Sequence, residues 1–183
     1  MKTILDAALR LFLVCAIAAG TLAFVYRGTQ ARIAENKALE RTSRLRWVLP
    51  DCTEIESRGT DGEEWFAGFS EGRACGYAVE TRTKGYGGVM TLLVGVDLEG
   101  RVAGFSILSH KETPGLGDKA GKPAFGEQFK GKDAAGLVLK KDSVDGGIDA
   151  LTAATVTSRA VTRGIREGLE RVASLRAKEG HGR

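Results

Sequence analysis

Hydrophobic positions change their rhythm along this chain, and each rhythm predicts a different element. From Ala7 to Tyr26 they form a nearly unbroken run in which Arg10 is the only charge. At about 1.5 Å per residue such a helix reaches about 30 Å, enough to cross the hydrocarbon core, with Arg10 snorkelling to the near interface. In the middle of the chain the apolar residues come in short bursts. Glu64-Trp-Phe-Ala-Gly-Phe69 and Ala74-Cys-Gly-Tyr-Ala-Val79 read as a pair of strands. Met90 to Asp97 and Arg101 to Leu108 flank Leu98-Glu-Gly100, a loop of the length and chemistry that closes a hairpin. From Ser158 onward Val161, Ile165, Leu169, Val172 and Leu175 recur at three- and four-residue steps, while Arg159, Arg163, Arg166, Glu167, Glu170 and Arg171 take other faces. That spacing predicts an amphipathic helix whose N-terminus lies among Thr155, Thr157 and Ser158.

Between the apolar run and the first strand, Thr29 to Leu49 is charged and rich in helix formers. Ala34, Ala38, Leu45 and Val48 suggest a partly packed juxtamembrane helix that ends before Pro50. The expected organisation is a membrane anchor over 1–28, a helical linker over 29–50, a folded domain over 51–178 and a frayed tail over 179–183. The expected fold class is α+β, a single N-terminal transmembrane helix followed by a small domain with an antiparallel sheet flanked by helices. A cleavable secretory signal competes with the anchor, because Ala16-Ile-Ala18 could pass for a peptidase site, but the apolar run continues to Val25. The valine before Cys15 argues against a lipoprotein site. Lys2 and Arg10 on one side are balanced by Arg27, Arg32 and Lys37 on the other, so charge leaves the topology open.

Composition narrows the function classes. With 183 residues and 43% hydrophobic content the chain can bury one proper core, and a net charge of +4 spread along it gives no argument for nucleic acid. Cys52 and Cys75 fit either a disulfide or two separate thiols. His110 and His181 are the only histidines and no cysteine cluster accompanies them, so no metal site is expected. Gly126 to Asp133 almost spells a P-loop, yet Asp133 stands where a Ser or Thr should reach magnesium and no strand leads in. Gly115, Gly117 and Gly121 are spaced one residue too long for a dinucleotide fingerprint. Lys130, Lys132, Lys140 and Lys141 read as a solvated basic face that could dock an acidic partner, and Trp47 and Trp65 as packing residues.

The candidate chemistry lies in the loops. Gly85-Tyr-Gly-Gly88 precedes the long strand, and His110-Lys-Glu-Thr-Pro-Gly-Leu-Gly-Asp-Lys119 follows the hairpin. Glycine-rich loops on a scaffold let backbone amides approach a flat ring. Asp149-Ala-Leu-Thr-Ala-Ala-Thr155 runs directly into the last helix. Hydroxyls there serve as caps, and on spacing alone Thr155 or Thr157 is an N-cap. The same unpaired amides with the helix dipole also form an anion site, so a phosphate joined to Thr155 would meet favourable charge.

The Asp149 to Thr155 segment resembles the Asp-Gly-x-Ser/Thr-Gly/Ser-Ala-Thr/Ser sequence on which a flavin transferase esterifies the last hydroxyl with the phosphate of FMN. Asp149, Thr152, Ala154 and Thr155 match. Ala150 and Ala153 stand where the pattern prefers glycine or another small residue, and glycine allows backbone conformations that alanine resists. Glu112-Thr-Pro-Gly-Leu-Gly117 resembles the loop that lies along the isoalloxazine in one family of flavin domains, and Gly85-Tyr-Gly-Gly88 fits the same family. Together with the anchor these motifs resemble the G subunit of the Rnf electron-transport complex over nearly the whole chain. The related C subunit of the sodium-translocating NADH:quinone reductase shares the attachment motif and a similar loop.

The resemblance implies a membrane-anchored flavoprotein subunit that relays electrons through covalent FMN, in a complex coupling ferredoxin and NAD oxidoreduction to ion movement. It implies a flavin domain on the periplasmic or extracellular side, partner membrane subunits and a flavin transferase for maturation. Thr155 would carry the phosphoester, Asp149 would belong to the flavinylation motif, Thr152, Thr157 and nearby backbone amides would hold the phosphate, and Ala154 would be a further cofactor-binding residue. Thr113, Gly115, Leu116 and Gly117 would border the ring, with Glu112, Lys119 and Tyr86 as further contacts. No catalytic side chain is needed, because the flavin performs the electron chemistry. The competing class is a non-flavinylated binding or assembly module of the same fold.

Overall fold

The computed structural model describes residues 2–59 and 64–180. The chain divides into two compact units, Met1–Thr42 and Ser43–Arg183. The first is the greater part of α1 (Lys2–Val48), a continuous helix with no break at residue 28. Its Ile4–Gln30 stretch is long and apolar enough to cross a membrane, and none of it is buried. Leu11, Phe12, Leu22 and Phe24 all stand well exposed along it. A run of this kind needs lipid or another apolar partner around it.

The second unit starts with the last turn of α1, where Leu49 N–H donates to Leu45 C=O at 3.0 Å before Pro50 ends the helix. Five strands follow in a plain antiparallel meander: β1 (Glu54–Arg58), β2 (Trp65–Ser70), β3 (Arg73–Lys84), β4 (Val89–Asp97) and β5 (Val102–Ser109), paired in sequence order. The β2–β3 pair and the β4–β5 hairpin lie where the sequence places them. β3 continues five residues past Val79 because Thr81 and Thr83 turn inward under the last helix. Thr81 Oγ1 donates to Gly164 C=O at 3.0 Å, and an Arg163 N–H donates to Thr83 Oγ1 at 3.0 Å. β1 was not expected; it is a polar edge strand with no buried residue.

After β5 come a 3₁₀ turn at Gly117–Gly121, the one-turn α2 (Pro123–Gly126), a second 3₁₀ turn at Glu127–Phe129, and finally α3 (Thr155–Gly180). The segment that resembles a P-loop is thus a set of tight turns rather than a strand leading into a long helix. Within the expected tail, Glu179 and Gly180 belong to α3, and residues 181–183 lie outside the described residues.

Strand alternation gives the sheet two apolar faces. Leu92, Val94 and Val96 of β4 face α3, in a core that includes Val161, Ile165, Leu169 and Val172. Each such aliphatic side chain contributes about 1.5–3 kcal/mol on burial. The approach is close: a Cβ at Gly168 would lie 2.9 Å from Val94 Cβ. Leu93 of β4 faces the other way and packs with Leu45, Val48, Leu49, Phe66 and Ala78. Cys52 and Cys75 join in a disulfide with Cα atoms 5.8 Å apart, tying the exit of α1 to β3. Phe125 and Phe129 stack edge-on, 5.1 Å between centroids, and Phe129 meets Phe105 at 5.2 Å, sealing the α3-side core. Trp65 is buried as expected, whereas Trp47 is 60% exposed and is not a core residue.

Candidate functional site

Burial of one face of α3 fixes where its N-terminus sits, and the Asp149–Thr155 segment leads into that position. Asp149 is held through its backbone: its N–H donates to Gln128 Oε1 at 2.7 Å, and Gln128 Nε2 donates to Asp149 C=O at 3.2 Å. The Asp149 carboxylate points to Lys140 Nζ at 2.7 Å. Leu151 N–H donates to Ser158 Oγ at 2.9 Å, and Ser158 Oγ donates to Ala154 C=O at 2.9 Å. Fully buried Ser158 thus staples the segment from inside the helix, a role that a cap pattern does not reveal.

The residue in front of α3 is Ala154, so no hydroxyl occupies the cap position; Thr155 and Thr157 are the first and third helical residues. Ser158 N–H donates to Ala154 C=O at 3.0 Å. The amides of Thr155, Val156 and Thr157 precede that bond and have no intrahelical carbonyl to meet. Ala153 has φ +60°, the left-handed conformation that favours glycine, at one of the two positions where the pattern prefers a smaller residue.

The two glycine-bearing loops meet at Glu112, which is only 6% exposed. Gly87 N–H donates to Glu112 Oε1 at 3.0 Å, Thr157 Oγ1 donates to Glu112 Oε2, and Glu112 N–H donates to His110 Nδ1 at 3.2 Å. One buried carboxylate therefore joins the β3–β4 loop, the loop after β5 and the first turn of α3. The Thr157 hydroxyl is spent on Glu112, so at the α3 terminus Thr157 offers its backbone amide.

Glycine is required on both sides of this junction. A Cβ at Gly117 would sit 2.8 Å from Glu112 Cβ and 2.9 Å from Thr157 Oγ1, and one at Gly87 would sit 2.6 Å from the backbone carbonyl carbon of Lys111. All three distances are shorter than real Cβ contacts allow.

Around the junction lies a cavity of about 490 Å³ lined by Tyr86, Glu112, Thr113, Leu116, Gly117 and Ala153 to Thr157. That volume is in the range of small-molecule and cofactor sites. Tyr86, Glu112, Thr113, Leu116, Gly117, Ala154, Thr155 and Thr157 are thus brought together as the sequence expects. Thr152, Gly115, Lys119 and Asp149 are not among the lining residues, while Ala153 and Val156 join it.

A larger cavity of about 590 Å³, between the end of α1, β5 and residues 120–130, contains none of the expected site residues. Thr155 is half-buried, with Lys141 Nζ 3.4 Å from its Oγ1. Beside it, the hydrogen bond from Arg159 holds the Asp142 carboxyl below its ordinary range, and Asp142 in turn raises Arg159. Among the described residues no cluster of His, Cys, Asp or Glu could hold a metal ion.

The FMN-binding domain family matches residues 85–170, spanning both loops, the Asp149–Thr155 segment and most of α3, and the RnfG N-terminal region matches residues 1–48. The G subunit of the proton-translocating ferredoxin:NAD(+) oxidoreductase complex of Clostridium ljungdahlii is 38% identical, covering 90% of this chain and 89% of that protein. The chain belongs to the RnfG family. Its relatives include the G subunit of the Na(+)-translocating ferredoxin:NAD(+) oxidoreductase complex of Acetobacterium woodii, 33% identical over 92% of this chain and 91% of that protein. For the fold, the C subunit of the Na(+)-translocating NADH-quinone reductase of Parabacteroides distasonis superposes with a TM-score of 0.53 at 22% identity, covering 67% of this chain and 76% of that one. NqrC of Shewanella oneidensis gives 0.51 at 25% identity, covering 73% of each chain.

The RnfG fold here fits a flavin nucleotide. Gly85, Gly87 and Gly117 keep side chains off the loop junction, the cavity has adequate volume, and its lining includes Thr155, Val156 and Thr157 of the first α3 turn, whose amides have no intrahelical acceptor.

Proposed function

We propose that this RnfG-family chain is a membrane-anchored flavoprotein subunit that carries FMN as a phosphoester on Thr155. It relays electrons within an ion-translocating ferredoxin/NAD oxidoreductase complex. The observation that carries the reading is the position of Thr155: its hydroxyl stands at the first turn of α3, on the edge of the cavity made by the Glu112–Gly117 and Gly85–Gly88 loops. Bound FMN supplies the electron chemistry. The chain's own groups bind and orient it. The amides of Thr155 to Thr157 and the positive end of α3 favour the phosphate, and Thr113, Leu116, Gly117 and Tyr86 border the ring. Ala154 sets the helix start. Thr152, Gly115 and Lys119 act from outside the cavity wall, and Asp149 marks the motif that the flavin transferase recognises. No side-chain nucleophile or acid/base pair takes part in the relay.

Residues 1–28 form the anchor in this reading, and the other membrane subunits of the complex are the partners. The Cys52–Cys75 disulfide belongs to an oxidising compartment and supports a periplasmic or extracellular flavin domain.

Expression of the chain with an active flavin transferase tests the reading. Intact mass should rise by the mass of FMN less one water, the denatured band should fluoresce, and the label should map to the peptide containing Thr155. Thr155→Ala should abolish the label. An unmodified chain beside a flavinylated control substrate would refute the reading and favour the non-flavinylated assembly module.

A further inference from the structure

Three consecutive charged residues, Lys140, Lys141 and Asp142, form a tight turn alongside the start of α3. Their backbone is pinned. Lys140 N–H donates to Ile148 C=O at 2.9 Å, and Asp142 N–H donates to Leu139 C=O at 2.9 Å. Two of the three charges are matched locally: Lys140 pairs with Asp149 at 2.7 Å, and Asp142 takes the Arg159 guanidinium at 2.8 and 2.5 Å. Arg159 is one turn beyond Thr155 on α3, so the other cation near that helix end is already engaged. Lys141 makes no ion pair among the described residues, and its ammonium lies 3.4 Å from Thr155 Oγ1.

We propose that Lys141 is the cation that pairs with the phosphate of the flavin nucleotide at Thr155. The inference rests on Thr155 being the phosphate acceptor. A phosphoester in that position places its phosphorus one bond and its unbridged oxygens two bonds beyond Thr155 Oγ1, within reach of an ammonium already near that atom. A phosphodiester keeps a full negative charge at neutral pH, whereas the helix terminus supplies only about half an opposite charge. Lysine, a compact point charge on a flexible stem, suits such an oxygen without demanding the planar two-point geometry of arginine. The neighbouring ion pairs hold the turn, so Lys141 is directed to the site by its backbone.

The test uses the full-length Thr155→Ala chain, on which no ester forms and flavin binding is reversible. FMN and riboflavin, which differ only in the phosphate, are titrated by flavin fluorescence with Lys141 and with Lys141→Gln. Because Lys141 is exposed, the expected loss is modest: FMN weakens about fivefold, the upper range for an exposed ion pair. Riboflavin should be unchanged, Lys141→Arg should recover part of the loss, and the FMN difference should shrink as salt rises. Equal loss for both flavins, or none for either, overturns the proposal.

If the Thr155→Ala chain binds neither flavin, the covalently loaded chain decides. Lys141→Gln should shift the phosphorus-31 resonance of the folded protein and leave that of the urea-unfolded protein in place, and an unmoved folded resonance overturns the proposal. A wild-type chain that takes no flavin from an active transferase would instead remove the Thr155 reading, before any Lys141 variant is made.

Discussion

Replacing Glu112 should loosen the junction between the two glycine-bearing loops and α3. The carboxylate is 6% exposed and accepts from Gly87 N–H at 3.0 Å and from Thr157 Oγ1, itself 1% exposed. Glu112→Ala leaves the buried Thr157 hydroxyl without its acceptor and releases the N–H of Gly87, an exposed residue, to solvent. Hydrogen bonds to charged groups are worth about 1.5–3 kcal/mol each, and removing the carboxylate also relieves the cost of burying it. The net expected loss is about 2–4 kcal/mol, which for a unit of this size is about 6–15 °C in melting temperature. Glu112→Gln keeps an acceptor for Gly87 and an amide that donates to Thr157, so it should lose about 1 kcal/mol. Urea unfolding of the full chain in detergent, followed by the fluorescence of buried Trp65, measures both variants. The same preparations, treated with flavin transferase, report how well the cradle is held: the Gln chain should load and the Ala chain should load poorly. An Ala variant within about 0.5 kcal/mol of wild type, or a Gln variant as damaged as Ala, would refute the clasp.

Other expectations follow from the same geometry. Ala153→Gly should stabilise the domain by about 0.5–1 kcal/mol, because relief at φ +60° exceeds the added freedom of the unfolded chain; a urea midpoint at or below wild type would contradict this. Opening the Cys52–Cys75 bridge, by reduction or by Cys75→Ala, should cost about 3 kcal/mol for a sequence separation of 23, again read from the urea midpoint. Asp142, with its pKa held below the ordinary 3.8 by Arg159, contributes stability above 3.8 that is lost as pH falls through the lowered native value. The Asp142→Asn chain should therefore trail wild type by a constant amount from about pH 5 to 8 and converge with it in acid. A gap that instead widened on acidification would contradict the assignment.

The sequence by itself determined the elements whose signal is periodic or local. The apolar run of α1, the β4–β5 hairpin with its Leu98-Glu-Gly100 turn, the amphipathic face of α3 and its start near Thr155 are all written in spacing, because each depends on neighbours a few residues away. The two loops and the Asp149–Thr155 segment were legible as motifs. β1 was not, because an exposed edge strand needs no apolar alternation. The extension of β3 through Thr81 and Thr83 was hidden as well, since those hydroxyls become buried only when α3 covers them.

What only the tertiary structure decided are the long-range pairings. Cys52 finds Cys75 across 23 residues, Gly87 meets Glu112 across 25, and Thr157 reaches Glu112 across 45. Glu112 could be placed near the ring from its loop, but its work as the acceptor joining three segments required the sheet to bring them together. Lys141 looked like one lysine in a solvated basic stretch until the turn at 139–148 set it beside Thr155. Periodicity encodes which face a residue takes; the folded sheet alone determines which distant group that face will meet.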